Sequence, residues 1–425
     1  MNTIYDIAGI GIGPFNLGLA ALAQSRTKLK SIFFDQNDSF NWHPGMLLSG
    51  TKLQVPFHAD LVTLADPRSP FSFLSFLQAK DSLFRFTIRE VHYPFRKQYN
   101  AYCRWVADQL KNLRFNLRCL SISYDRGKNY YMIQVISSRT NRKKTYLARR
   151  IVIGVGTKPY MPECLEPGLK NAFHSENYLL NKSLLNNCNR ITIIGSGQSA
   201  AEIFDDLIST GKYLYWITRS VRYFPLDYSK FSLEMTSPDY IDHFYSLTQK
   251  VKDNILALQS GLYKGINSEL INTIYEKLYE SSLDNPVNSK YHLNPNCRLV
   301  KAECDGSKIL CSLEHNESGQ RFQHSTDALI MATGYCYRTP TFLDPLKEYI
   351  FWDDQGRYSV RRNYSIDLNN TIFIQNGELH THGFNAPDLG MGPYRNSIIL
   401  NSILGKEVFR IEKNVPFQDF VGHFD

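Results

Sequence analysis

Ile7-Ala8-Gly9-Ile10-Gly11-Ile12-Gly13-Pro14-Phe15-Asn16 and Ile191-Thr192-Ile193-Ile194-Gly195-Ser196-Gly197-Gln198-Ser199-Ala200 are two apolar runs, each ending in a glycine-rich turn. In a dinucleotide cradle one glycine permits the tight bend and a second lets the backbone approach the pyrophosphate. The following helix N-terminus then supplies oriented N–H groups. Gly9 and Gly11 are expected in these two roles in the first turn. Gly13 adds a small residue, and Pro14 stands at the third glycine position, where it suits the first turn of a helix. In the second turn Gly195 and Gly197 take the two roles and Ala200 replaces the third glycine, with Ser196, Gln198 and Ser199 completing the cradle. Each turn opens a strand–helix–strand unit. The fold class expected is α/β, with two dinucleotide-binding, Rossmann-like domains and a small helical substrate region.

The residue ending the next strand distinguishes the nucleotides. Asp35 closes Ser31-Ile32-Phe33-Phe34 and is placed to bind a ribose hydroxyl, as FAD requires. The strand after the second turn ends instead in Arg219-Ser220-Val221-Arg222. A carboxylate there would repel a 2′-phosphate and an arginine pairs with it, so Arg219 and Arg222 point to NADPH rather than NADH. Two further strands run into small-residue turns, at Ile151 to Lys158 and at Leu329 to Tyr335 through Thr333 and Gly334, where the chain is expected to cross between domains.

The bulk composition excludes several classes. At 425 residues the chain fits two or three domains. With 43% hydrophobic and 21% charged residues it is globular rather than disordered. No apolar run approaches the roughly 20 residues of a membrane span, so a soluble, cytoplasmic protein is expected. The eight cysteines include no CxxC pair, which signals neither a zinc site nor a redox dithiol. The net charge of +8 is dispersed, without the aromatic–basic pattern of RNA binding, so no nucleic-acid partner is expected. His380 and His382 have no carboxylate or cysteine partner nearby in sequence and read as structural or flavin-contacting, so no metal is expected.

Residues 40–100, rich in Pro, Phe, Tyr and Trp, read as a wrapped loop region lining a ligand. Asn100 to Leu113 has helical spacing, and 116–150 reads as a small antiparallel insertion. The expected division is an FAD domain from 1–165 and 325–425, and an NADPH domain from 166–324 with a helical substrate region at about 231–290.

Several stretches together resemble the microbial N-hydroxylating flavin monooxygenases, the lysine, ornithine and diamine hydroxylases of siderophore assembly. They are Gly9 to Asn16, Phe40-Asn41-Trp42-His43-Pro44-Gly45-Met46, Asp66-Pro67-Arg68-Ser69-Pro70-Phe71, Tyr99 to Trp105, Gly195 to Ala200, Ala332-Thr333-Gly334-Tyr335 and Thr381-His382-Gly383. The resemblance implies FAD and NADPH as cofactors, O2 and a small primary amine as substrates, a hydroxylamine product, and a homo-oligomer, tetramer or dimer. It places Trp42, His43, Met46, Gln54 and Leu389 near the flavin. Gln54 is the candidate catalytic residue, through hydrogen bonding to the oxygenated flavin.

For the amino-acid hydroxylases the resemblance also implies a lysine that holds the substrate carboxylate, within a Phe-Leu-Lys-Asp-Leu stretch. Here that stretch reads Phe57-His58-Ala59-Asp60-Leu61, and an acid, Asp388, precedes Leu389-Gly390. Ala59 cannot pair with a carboxylate, and a carboxylate buried without its cation costs several kcal/mol. The expected substrate is therefore an amine without an α-carboxylate, such as putrescine, cadaverine or histamine, with Asp60 or Asp388 facing a distal cation. The alternative is that Lys52 or Arg96 replaces the missing lysine and the substrate is lysine or ornithine. The rival classes are an NADPH-dependent flavin reductase or oxidase, whose disulfide-reducing type would carry a CxxC pair, and a non-enzymatic flavin protein.

Overall fold

The computed structural model describes residues 3–284 and 290–422; positions 285–289 of the expected helical region lie outside them. Two five-stranded parallel sheets are built on the same plan. The first runs Ile372–Ile374, Ile151–Ile153, Ile7–Ile10, Ser31–Phe34, Leu113–Arg114. The second runs Ala172–His174, Ala328–Met331, Arg190–Ile194, Tyr213–Ile217, Tyr291–Asn294. In both, the strand before the glycine turn lies in the middle. The central strands are unbroken apolar runs because both faces of a parallel sheet are covered. Ile7 packs among Leu17, Ala20 and Val106 on one face of the first sheet. Ala8 and Ile10 pack among Ile133 and Leu346 on the other.

Each parallel sheet also carries an antiparallel three-stranded meander. The expected one is Leu117–Asp125, Tyr130–Ser137 and Lys143–Ala148. A second, which the sequence does not signal, lies at Cys297–Asp305, Lys308–His315 and Arg321–Thr326. The opening run is split: Ile4–Tyr5 pairs with the first meander, and only Ile7–Ile10 enters the parallel sheet. The expected domain limit at 324 also moves, because Ala328–Met331 pairs with Ala172–His174 and Arg190–Ile194 and so extends the second sheet to Met331. The two crossings between the sheets hydrogen-bond to each other, Tyr335 against Pro159 and Cys336 against Lys158.

The loop region 40–100 contains helices Phe73–Ala79 and Leu83–Ile88, and the next helix is Arg96–Gln109, starting before the expected Asn100. The helical region comprises Lys230–Glu234, Pro238–Ser246, Gln249–Leu258 and Ser268–Asp284. Its two ends are anchored differently. Ile274 joins the core of the second sheet, while Phe244 packs with Tyr240 and Phe384 beside the Thr-His-Gly turn. Among the described residues no helix is long and apolar enough to cross a membrane.

The Trp-His-Pro-Gly-Met turn forms a seam between the sheets. Met46 and Leu48, from the first domain's chain, are buried in the core of the second. At Gly45 a Cβ would lie 1.8 Å from the Glu176 carbonyl oxygen. Only glycine permits that approach, since the neighbour is backbone and cannot rotate away. Gly45→Ala is expected to destabilise the protein by about 2 kcal/mol or more, as overpacking against a fixed neighbour does. A thermal unfolding midpoint within a degree of wild type would contradict this.

Candidate active site

The first glycine turn sits two residues later than its spacing implies. Gly9 lies inside strand Ile7–Ile10, where a Cβ would meet the Phe33 ring at 2.0 Å, so its task is strand packing rather than the bend. Gly11 makes the bend, with φ +88° and its Cβ direction 2.4 Å from the Gly154 carbonyl. Gly195 does the same in the second turn, with φ +145° and 2.1 Å to the Ala332 carbonyl. Gly13 and Gly197 are the matching N-caps of helices Pro14–Arg26 and Gln198–Ile208, and neither helix has a side-chain cap. Among the described residues the N–H groups of Phe15, Asn16, Gln198 and Ser199 take no protein acceptor, which fits a pyrophosphate, while the Ala200 N–H donates to the Gly197 carbonyl at 3.1 Å. Space above Gly13 is open to 4 Å, and Pro14 opens its helix at no hydrogen-bonding cost.

Asp35 lies beside the first turn. Its Oδ2 accepts the Ile12 N–H at 2.7 Å and its Oδ1 the Asn37 N–H at 2.9 Å. Asn16, whose role the sequence did not disclose, ties the turn down. Its Nδ2 donates to the carbonyls of Gly11 (2.8 Å) and Ile10 (3.2 Å), and its Oδ1 accepts from Gln375 (2.7 Å).

The second turn opens into a cavity of about 770 Å³ lined by Gly195, Ser196, Gly197, Gln198, Ser199, Arg219, Thr333 and Gly334, with Gln54 at its edge. Arg219 is exposed and, among the described residues, makes no ion pair. Arg222 does not line the cavity; its guanidinium rests over the Phe224 ring at 4.6 Å. Of the two arginines, Arg219 is the one that lines the cavity.

A second cavity, about 830 Å³, shares Gln54 and Ser199 with the first. Trp42, His43, Met46, Ala59, Asp388 and Leu389 line it. His43 is held in the left-handed region (φ 47°). Burial first, then the neighbouring Arg96, lowers its pKa from 6.5 to about 4, so its ring is neutral at neutral pH. Asp388 Oδ1 accepts the N–H groups of Gly390 (2.7 Å) and Met391 (3.3 Å), ahead of helix Met391–Leu404. Burial pushes its pKa up. Asp388 Oδ1 and Ala59 Cβ lie 3.0 and 3.3 Å from where a side chain on Gly390 would begin, so Ala59 and Asp388 flank the same point of the wall. Tyr228, unremarked in the sequence, lines this cavity with a buried hydroxyl that, among the described residues, has no well-formed hydrogen bond.

Asp60 does not face the cavity. Its oxygens accept from the N–H groups of Val62 (2.9 Å), Thr63 (2.7 Å) and Phe73 (2.6 Å) and from the Thr63 hydroxyl (2.7 Å). It is spent on closing its own loop, and the expected contact with an amine is corrected accordingly. The cations offered as substitutes for the missing lysine are also occupied. Lys52 pairs with Glu269 at 2.9 Å and Arg96 with the buried Glu202 at 2.7 Å. His380 bonds the Tyr358 carbonyl (2.8 Å), and His382 stacks on Tyr364 with its Nδ1 against the Thr381 hydroxyl (2.9 Å). Among the described residues no cluster of His, Cys, Asp and Glu is arranged to hold a metal ion.

Residues 3–337 match the family model of L-lysine 6-monooxygenase/L-ornithine 5-monooxygenase. The chain belongs to this family. It is 44% identical to a putrescine N-hydroxylase of Shewanella oneidensis, over 98% of this chain and 84% of that protein. It is similar to the crystal structure of the FAD-bound DfoA, the cadaverine monooxygenase of desferrioxamine biosynthesis in Erwinia amylovora. That match has a TM-score of 0.97 and 46% identity, and it covers 100% of both chains. It is also similar to the ornithine N-hydroxylase KtzI of Kutzneria sp. 744 with reduced FAD, NADP+ and L-ornithine, with a TM-score of 0.88 and 28% identity over 95% of this chain and 99% of that one. The protein is therefore a flavin-dependent N-monooxygenase that uses FAD and NADPH.

Two outcomes follow for this monooxygenase. Arg219→Ala is expected to raise the KM for NADPH about tenfold while leaving that for NADH little changed, as loss of one charged hydrogen bond to a phosphate does; Arg222→Ala should do less. Steady-state NADPH and NADH titrations check this. For His43, the folded pKa lies below the unfolded value of 6.5, so between about pH 4 and 6.5 only the unfolded chain binds the proton. Its contribution to stability is present above pH 6.5 and is lost as the pH falls towards 4. Denaturant midpoints should fall from pH 7 to pH 5, and fall less in His43→Gln; equal slopes would exclude this role.

Proposed function

We propose that the enzyme N-hydroxylates a primary diamine lacking an α-carboxylate, of the putrescine or cadaverine type, for siderophore assembly. The observation that carries this reading is the charge of the second cavity wall. Ala59 stands where a carboxylate-binding lysine is expected, and the acid Asp388 flanks it. Arg96 is committed to Glu202, and the remaining lysine of the lining, Lys230, is exposed to solvent. An α-carboxylate would meet an acid that burial already disfavours in its charged form and would disfavour it further, whereas a distal ammonium would favour the ionised form of Asp388 and pair with it. The names of the relatives acting on putrescine and cadaverine agree with this reading.

FAD reduced by NADPH supplies the activated oxygen. Gly11, Gly13 and Asp35 would hold its ADP portion, with Trp42, His43, Met46 and Leu389 around the ring. Gly195, Gly197, Ser199 and Arg219 would hold NADPH, with Thr333 and Gly334 across the cavity. The reacting amine must attack as a free base. The apolar wall of Met46, Leu53, Val55, Phe57 and Met391 disfavours its charged form by desolvation, and neutral His43 competes for no anion. Asp388 would anchor the other end, with Tyr228 beside it. Exposed apolar side chains at Tyr275, Tyr279 and Leu283 on one helix face, and Phe84 and Ile88 on another, support a homo-oligomer in solution.

NADPH-dependent hydroxylamine formation from putrescine, cadaverine, histamine, lysine and ornithine tests the reading, with a diamine expected to turn over best. Preference for an α-amino acid would overturn it. Asp388→Asn is expected to raise the diamine KM at least tenfold, the scale of one partly buried ion pair. Gln54→Ala is expected to divert NADPH-derived electrons to peroxide; unchanged coupling of NADPH oxidation to product would remove Gln54 from the mechanism.

A further inference from the structure

Gln54 is held by a chain of side chains that reaches through the second domain. Its Nε2 donates to Gln198 Oε1 at 3.3 Å and to the Gly265 carbonyl at 3.4 Å. Gln198 in turn donates through Nε2 to Glu202 Oε1 at 2.8 Å and accepts the Asn267 N–H on Oε1 at 2.8 Å. Glu202 is 3% exposed and lines neither cavity; its other oxygen pairs with Arg96 at 2.7 Å.

The orientation of both amides follows from this chemistry. A carboxylate can only accept when ionised, so the Gln198 group facing Glu202 is its NH2. A backbone N–H can only donate, so the group facing Asn267 is its carbonyl. That carbonyl then requires a donor from Gln54, which must present its own NH2. Both Gln54 hydrogens are thereby used, and its Oε1, with no protein donor among the described residues, is the atom left free at the edge shared by the two cavities. The sequence names Gln54 as a hydrogen-bonding residue at the reacting centre without giving the direction of that bond. The network makes it an acceptor there.

We propose that Glu202 is a positioning residue that, through Gln198, fixes the Gln54 carbonyl oxygen towards the second cavity to accept a hydrogen bond from the substrate amine. This rests on the reading of that cavity as the amine site. The reacting nitrogen loses its hydrogen-bonded water on entering an apolar pocket, and a carbonyl acceptor replaces that water while leaving the nitrogen lone pair free for attack. A donor at the same place would compete for the lone pair.

The test uses diamine binding to the oxidised holoenzyme, measured by calorimetry without NADPH. Glu202→Gln removes the acceptor that holds the Gln198 NH2, one of the two groups that orient this amide, and Gln198→Leu cuts the relay while leaving the Arg96–Glu202 pair in place. Each is expected to weaken diamine binding about tenfold, the value of one hydrogen bond. In a Gln54→Ala background neither should weaken it further, since residues acting through one another are not additive. Wild-type affinity in Gln198→Leu, or additive losses in the Gln54→Ala background, would show that Glu202 merely docks Arg96 and would overturn the proposal. Failure of wild type to bind any diamine overturns the substrate reading, and this inference with it, and is distinguished from the other outcomes by the wild-type titration alone.

Discussion

Arg96 and Glu202 meet where the two nucleotide-binding units join, and the geometry of both cavities hangs on that contact. Arg96 opens the helix Arg96–Gln109 of the first unit; Glu202 lies on the helix that follows the second glycine turn. Their side chains are 14% and 2% exposed. A pair this buried contributes little net stability, because desolvation offsets most of the Coulomb attraction. Removing one partner is costly, however, since it strands the other charge. The pair therefore acts less as glue than as a registration mark: the second unit can dock only where Glu202 finds its cation. The same contact takes Arg96 away from any substrate carboxylate and adds to the depression of the His43 pKa.

The seam around that pair is crowded on the backbone scale. Gly45 brings the Trp-His-Pro-Gly-Met turn onto Glu176, and Gly11 and Gly195 each pass under a carbonyl of a neighbouring strand end. Met46 and Leu48 enter the core of the opposite unit. Close approach at glycines and burial of a few apolar side chains hold the cavities at a common edge, where Gln54 and Ser199 belong to both. An enzyme that must bring a nicotinamide, a flavin and an amine together needs such an edge to be stiff.

The amine cavity illustrates how charge selects substrate. Asp60, which is buried, and Asp388, which is half-buried, lie on either side of Ala59. Asp60 is saturated by four donors of its own loop. Asp388 uses one oxygen on the backbone at Gly390 and Met391 and has Ala59 rather than a lysine beside it. Counting acids in the sequence does not separate the two; counting their hydrogen bonds does.

The strand–turn–helix units were legible because they rest on local sterics and on helix-end electrostatics, which act within a few residues. So were the first meander and the loop-rich wall at 40–100. Other features were decided only in three dimensions. The first glycine register moved because Gly9 had to clear the Phe33 ring on the adjacent strand. Ala328–Met331 joined the second sheet by pairing with Ala172–His174 and Arg190–Ile194, segments more than 130 residues earlier in the chain. The Arg96–Glu202–Gln198–Gln54 chain links residues more than a hundred positions apart. Local sequence determines what each segment can be; which polar group is spent, and which is left to meet a ligand, depends on contacts that exist only once the chain has closed on itself.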